Sequence, residues 1–216
     1  MCANESWDSI YSTQYEDVPR EPSSFACFAV ALMPPATSVL EVGCGTGRDS
    51  EFFSSLGFNV TAIDGSVEAI KRNLGRAGSA VQYHCIKVED LVEGDRSALR
   101  DQKNFSVNSV YMRFFIHSIS ESSCRRLLEH CFRDFLRPGG RILIECRSVN
   151  DPMCGVGMRV GKDEFINGHY RRFIDKDELV TMLQEIGFKV RVCIESDGLS
   201  VVGKDDPVLI RVVGQK

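Results

Sequence analysis

The chain has 216 residues, of which 43% are hydrophobic and 26% charged, and its formal net charge is -4. This is the balance of one globular domain with its own core, and the acidity argues against a protein whose main task is to grip nucleic-acid phosphates. Nine cysteines, an odd number with no C-x-x-C pair, read as reduced thiols and neither as a disulfide framework nor as a metal site. No apolar run is long enough to span a bilayer, and the first residues lack a positively charged leader. A cytoplasmic protein with no membrane partner is the expectation.

Residues 5–20 are polar, with Trp7, Tyr11 and Tyr15 at about helical spacing. Those rings share one face, which either packs on the body or forms a flap over cofactor or substrate. Pro22, Ser23 and Ser24 open a helix that runs to Met33 and is stopped by Pro34 and Pro35. From Ser38 strands and helices alternate. A strand over Val39–Val42 precedes a helix from Arg48 to Leu56. A strand over Asn59–Ile63 precedes a helix capped by Ser66 and running to Leu74. The third strand is placed at Val81–Val88, a short helix within 93–103, and the fourth strand at Val107–Phe115. Ser120 starts a helix to Leu136, closed by Arg137, Pro138, Gly139 and Gly140, before a strand over Arg141–Cys146. Residues Ser148–Phe173 break the rhythm. They are glycine-rich and basic without a period, and they read as an irregular functional insert. Asp175 caps a helix to Ile186 that ends at Gly187. Strands over Val190–Glu195 and Val208–Val213 follow, joined by a hairpin turn across Ser196–Pro207.

Alternating strands and helices predict an α/β fold, a mostly parallel sheet covered by helices on both faces. The closing helix, strand, hairpin and strand add one antiparallel strand near the edge. Residues 1–37 are expected to form a helical cap or flap and residues 38–216 the main domain, with its basic insert at about 148–173.

Within that pattern Glu41, Gly43, Gly45 and Gly47 stand at alternate positions, and Asp64 ends the next strand. Glycine turns with positive φ and lets a ligand lie against the backbone. A carboxylate at the neighbouring strand tip accepts hydrogen bonds from ribose hydroxyls. The spacing is not the G-x-G-x-x-G that seats a dinucleotide pyrophosphate, which disfavours a nicotinamide dehydrogenase. It resembles motif I of the class I S-adenosylmethionine (SAM)-dependent methyltransferases of the small single-domain bacterial type, and the resemblance extends from Ser38 to the C-terminus. It implies a Rossmann-like seven-stranded sheet and SAM as cofactor, leaving as S-adenosylhomocysteine. Gly43, Cys44, Gly45 and Gly47 would pass under its amino-acid and ribose portions, with Glu41 beside them, and Asp64 with Gly65 would bind the ribose. An acid after the third strand, Asp90 in preference to Glu89, would meet the adenine amino group. Arg48 and Asp49 match the family's Gly-x-Gly-Arg-Asp variant. Asp49 is then a cofactor or amine contact, or simply a carboxylate favoured at a helix start.

The fourth strand lacks the Asp/Asn-Pro-Pro-Tyr signature of several N-methyltransferases and offers Arg113 and His117. Arginine presents a fork suited to carboxylate or phosphate, and histidine takes a proton near neutral pH. Arg147 ends the fifth strand, and the insert adds His169, Tyr170, Arg171 and Arg172. We therefore expect methyl transfer to a small anionic acceptor, phosphate- or carboxylate-bearing and sugar-linked in one version, at oxygen. His117 would act as base or positioning group, and Arg113 would serve the acceptor and the cofactor. Arg147, His169, Arg171 and Arg172, with Tyr11 and Tyr15, would hold the acceptor, and Tyr170 and the insert would exclude water. The competing reading of these cations is an internal salt-bridge network, because buried unpaired charge is expensive. Alternatives for the chain are a thiol, halide or metalloid methyltransferase, or a non-catalytic SAM-binding subunit. No nucleic-acid partner is expected, and a monomer or homodimer would serve.

Overall fold

The structure is a computed structural model that describes residues 7–9, 11–12, 20–93 and 105–216. In chain order its elements are α1 (Ser24–Val30), β1 (Ser38–Val42), α2 (Arg48–Ser55), β2 (Asn59–Asp64), α3 (Val67–Leu74), β3 (Gln82–Cys85), α4 (Val88–Val92) and β4 (Val107–Arg113). After a 3-10 turn at Ile116–Ser118 come α5 (Glu121–His130), a π-helical turn at Cys131–Phe135, and β5 (Leu136–Arg147). The chain ends with β6 (Met158–Gly161), β7 (Glu164–Asn167), β8 (His169–Arg172), α6 (Lys176–Ile186), β9 (Lys189–Ser196) and β10 (Leu209–Gln215).

Seven strands form one sheet in the order β3-β2-β1-β4-β5-β10-β9. The pairs from β3 to β5 are parallel, and β10 runs antiparallel to both β5 and β9. The strand order reverses between β1 and β4, which opens a crevice at their carboxyl ends. Both faces of the sheet are covered, so its central strands are apolar on both sides. On one face Val39, Phe53, Tyr111 and Leu143 pack with Phe25, Ala26 and Ala29 of α1. On the other, Leu40, Val42, Met112 and Ile144 pack with Leu91, Leu127 and Leu183 of α4, α5 and α6. Neighbouring residues of a strand fall in different cores because side chains alternate with period two.

The same alternation builds a polar row at the sheet's carboxyl edge, on the α1 and α2 side. Glu41 stands opposite Tyr111, Arg113 opposite Glu145, and Glu145 opposite Arg211. Glu145 is fully buried and receives Arg113 Nε at 3.0 Å and Arg211 Nε at 2.7 Å.

Several boundaries move from their sequence-predicted places. β3 stops at Cys85 because α4 begins at Val88. β4 stops at Arg113 because Phe114 adopts φ +54°, which no strand tolerates. The fifth helix ends at His130, and β5 starts at Leu136, ahead of the expected Arg141. The insert is not irregular: β6, β7 and β8 form a three-stranded antiparallel sheet. Its strands have four residues each, too short for alternation to be read against so many charges, and they turn at Asp163 (φ +56°) and Gly168 (φ +77°). Most of the expected helix within 93–103, and Tyr15, lie outside the described residues.

The described part of residues 1–37 divides in two. Residues 7–9 and 11–12 are helical, whereas α1 belongs to the core of the body. Ser23 fixes α1 there. Its hydroxyl accepts from Ala26 N at 3.0 Å and donates to Asp49 at 2.7 Å, and its N–H donates to the same carboxylate at 2.7 Å. Tyr111 completes the tie, donating to Asp49 at 2.8 Å. Ser23→Ala removes a helix cap and one bond to a buried carboxylate. It is expected to cost about 1–3 kcal/mol, read as a lower midpoint in urea unfolding with an unchanged slope.

Candidate active site

A cavity of about 490 Å³ opens at the carboxyl ends of β1, β2 and β4. The glycine turn after β1 forms its floor. Gly43 N and Cys44 N both donate to Ile63 O, at 2.8 and 3.1 Å, which staples the turn to β2. Gly45 N donates to one oxygen of Asp64 at 2.8 Å, and Ser66 N donates to the other at 2.8 Å. Gly43 and Gly45 have φ of +77° and +50°, and a Cβ would drive the first into the Phe115 ring and the second into the Tyr11 hydroxyl. Both line the cavity, as do Glu41, Cys44, Asp49, Asp64 and Gly65. Gly47 does not. Its left-handed φ of +69° turns it against Tyr83 and Asn73, so its lack of a side chain serves packing between α2 and α3.

The carboxylates differ in their ties. Glu41 accepts from the Ser50 hydroxyl, and burial, with Asp49 close by, pushes its carboxyl well above the usual range. Asp49 faces the cavity but is bonded to Ser23 and Tyr111. Burial also raises Asp64, against the pull of its backbone N–H donors. Between the two acids after β3, the structure reverses the sequence preference. Glu89 lines the cavity, and Asp90 is exposed outside it. Both sit in the first turn of α4, where each residue advances about 100° around the axis, so only one of two neighbours faces inward.

Arg113 reaches the cavity over the Phe114 ring, 4.2 Å from its centroid, with Glu145 on Nε and Ser200 Oγ on Nη2 at 3.1 Å. Arg48 lines the cavity too, and among the described residues its carboxylate partner, Asp49, lies 3.9 Å away. Burial lowers the Arg48 guanidinium, and the charge of Arg113 adds to that. Trp7, Tyr11, Phe114, Phe115 and Tyr170 supply an aromatic wall. Burial, together with the negative charge of Glu164, raises the Tyr170 hydroxyl.

None of His117, Arg147, His169, Arg171 and Arg172 lines this cavity. The turn at Phe114 gives the wall to Phe114 and Phe115 and places His117 behind it, 5% exposed, with its ring 5.4 Å from that of Phe114. The Arg147 N–H donates to His117 Nδ1 at 3.3 Å, so the neutral ring carries its proton on Nε2. Arg147 is held in an internal network. Its Nη1 donates to both oxygens of Asp151 at 3.1 and 2.9 Å, and its Nη2 donates to Asp205 at 2.8 Å. Arg172 grips the carbonyls of Ile116 and Ile119 at 3.4 Å. It points away from Arg171 because neighbours on a strand face opposite sides. The salt-bridge reading therefore fits Arg147, and of the expected cations Arg113 lines the cavity, joined among the described residues by Arg48.

Sequence reasoning placed Trp7 on a face that either packs or forms a flap and noted Arg48 in the motif without giving it a role, and it missed Phe114, Phe115, Ile86, Val88 and Leu91. Phe114 and Phe115 were within reach of the rule that ligands sit at strand tips. The apolar walls from α4 carry no chemical signature. Among the described residues no three His, Cys, Asp or Glu side chains gather as metal ligands, and no helix is long and apolar enough to cross a membrane.

Burial and the charges of Arg171, Arg147 and His169 push His117 well below 6.5. Its folded form stays neutral where the unfolded chain takes up a proton, so its contribution to stability is present above about pH 6.5 and is lost as pH falls below that value. In His117→Asn this acid-side loss should shrink by about 1.4 kcal/mol per pH unit. Urea unfolding of both proteins between neutral and mildly acidic pH measures it, and parallel curves would contradict the burial argument.

Comparison with known proteins agrees with this architecture. The profile of the family described as "Methyltransferase domain" matches residues 16–192. A ubiquinone biosynthesis O-methyltransferase of Xanthomonas axonopodis pv. citri is 27% identical over 178 residues, covering 74% of this chain and 65% of that protein. The protein of the same name from Xanthomonas campestris pv. campestris is 28% identical over 209 residues, covering 84% and 74%. The chain thus spans just under two thirds of the length of the first of these relatives, 65%. Among solved structures, a SAM-dependent methyltransferase of Methanosarcina mazei aligns with a TM-score of 0.70 at 16% identity, covering 88% of this chain and 96% of that one. The 1,6-didemethyltoxoflavin-N1-methyltransferase of Burkholderia thailandensis, solved with S-adenosylhomocysteine, aligns with a TM-score of 0.66 at 18% identity, covering 98% and 88%. With the family profile matched over most of its length and the seven-stranded order described above, the chain belongs to the class I SAM-dependent methyltransferases.

Proposed function

We propose that this chain transfers the methyl group of SAM to an oxygen of a small acceptor that carries an anionic group. The observation that carries the reading is the sharing of one cavity by the glycine turn, Asp64 and the two arginines Arg48 and Arg113. The residues suit the cofactor. Gly43 and Gly45 form a cradle that a Cβ would fill, and Asp64 presents a carboxylate beside it. Asp64 with Gly65 would hold the ribose, Glu89 the adenine end between Ile86 and Leu91, and Gly43, Cys44 and Glu41 the amino-acid end.

The sulfonium of SAM supplies an already electrophilic methyl. The chain's residues then have to bind, align and keep water away. Arg48 and Arg113 would hold anionic oxygen near the glycine turn, and Trp7, Tyr11 and Tyr170 would close over it. His117 lies behind Phe114, so it fits positioning of the wall better than proton abstraction. An acceptor oxygen that is ionised unaided, such as a carboxylate, a phosphate or an acidic hydroxyl, suits this site. The name of the Xanthomonas relatives favours oxygen over sulfur, halide or metalloid as the methylated atom.

Labelled methyl transfer across anionic, neutral and thiol acceptors tests the reading. Asp64→Ala should weaken SAM binding by about 10- to 100-fold in calorimetry, as expected for the loss of hydrogen bonds to a charged group. Arg48→Met should raise KM by about tenfold or more for anionic acceptors. Preferred transfer to neutral or thiol acceptors, indifferent to Arg48→Met, would sink the anionic reading.

A further inference from the structure

Behind the aromatic wall lies a second group of donors that the cofactor cavity does not use. Arg171 Nη2 meets His169 Nε2 at 2.8 Å. Arginine is always the donor, so His169 Nε2 accepts and its proton sits on Nδ1. Arg171 Nε is buried with no hydrogen-bond partner among the described residues. His117 is fixed by the Arg147 backbone with its proton on Nε2, and it lies within electrostatic reach of Arg171 and His169. The nearby acids do not answer these donors. Asp151 and Asp205 are both engaged by Arg147.

An orphaned guanidinium N–H is costly to bury, more so than a neutral one. With both imidazole acceptor nitrogens already engaged, by Arg171 and by the Arg147 N–H, what remains on the two rings and on Arg171 Nε is N–H donors. Two rings separate this set from the cavity: Phe114 stacks on His117, and Trp7 lies 5.0 Å from His169. Both also line the cavity.

We infer that His117, His169 and Arg171 form an oxyanion seat that receives a carboxylate or phosphate group of the acceptor, remote from the oxygen that is methylated. This rests on the anionic-acceptor reading above. Arg48 and Arg113 serve the reacting end, and the acceptor passes between Trp7 and Phe114 to place its far group on Arg171.

The test is steady-state methyl transfer with paired acceptors that share a nucleophile and differ in carrying a carboxylate or its amide, or a phosphate monoester or its alcohol. Wild type, Arg171→Gln and His169→Asn are compared, with S-adenosylhomocysteine affinity as the check on folding. The wild type should prefer the anionic member, both variants should raise its KM about 10- to 100-fold, and inorganic phosphate should compete with it. If Arg171→Gln loses S-adenosylhomocysteine binding, Arg171→Lys, which keeps the charge and drops Nε, carries the test with His169→Asn. An anionic preference with KM unchanged in the variants overturns the seat and leaves the reading of the acceptor intact. Phosphate inhibition that does not compete with the acceptor overturns it also, because the site would then hold free anion. No preference for the anionic member in the wild type overturns the reading itself.

Discussion

Glu145 has no exposed surface, and it is held between Arg113 and Arg211. Burial pushes its carboxyl up, and the two guanidinium groups draw it back. A buried ion pair adds little net stability over an apolar substitute, but removing one partner leaves an uncompensated charge that costs about 3–5 kcal/mol. The trio's value is positional. Arg113 extends from Glu145 into the cavity and also binds Ser200. Arg211 binds the carbonyl of Leu199 and the hydroxyl of Ser24. One carboxylate therefore fixes the connection between β9 and β10, the start of α1 and the cationic side of the cavity against three adjoining strands.

Asp49 does similar work one strand over. A carboxylate in the first turn of α2 suits the helix dipole, but its bonds go to Ser23 and Tyr111. The residue tethers the start of α1 to the start of α2. Trp7 and Tyr11, ahead of α1 in the chain, line the cavity. Asp8 accepts from Ser66 at the start of α3, and Trp7 leans on His169 of β8. The insert sheet and the N-terminal residues thus meet at the Trp7–His169 contact, and both contribute lining to the cavity through Trp7, Tyr11 and Tyr170.

The insert sheet also divides its cations. Period-two alternation sends Arg171 and His169 to one face of β8 and Tyr170 and Arg172 to the other. Tyr170 borders the cavity, and Arg172 ties β8 to the 3-10 turn at Ile116–Ser118. A cluster that reads in the sequence as one basic patch becomes a wall residue, a structural clamp and a donor pair in three surroundings.

The sequence by itself determined the main sheet, the helix caps at Ser66 and Asp175, and the glycine turn that lines the cavity. These follow from local rules: apolar strands, a capping hydroxyl or carboxylate, glycines that turn with positive φ, and an acid at the next strand tip. Gly43, Gly45 and Asp64 were legible because each is defined by its own few neighbours. Tertiary structure alone decided which side chains face one another. Glu89 lines the cavity where Asp90 does not because of helical phase. His117 falls behind the wall because one residue, Phe114, leaves the strand with φ +54°. Arg147 is paired both with Asp151, four residues on, and with Asp205, 58 residues away in sequence. Charge type can be read from a single residue, but its partner is set by packing between distant segments, and a buried cation takes whichever carboxylate that packing brings within reach.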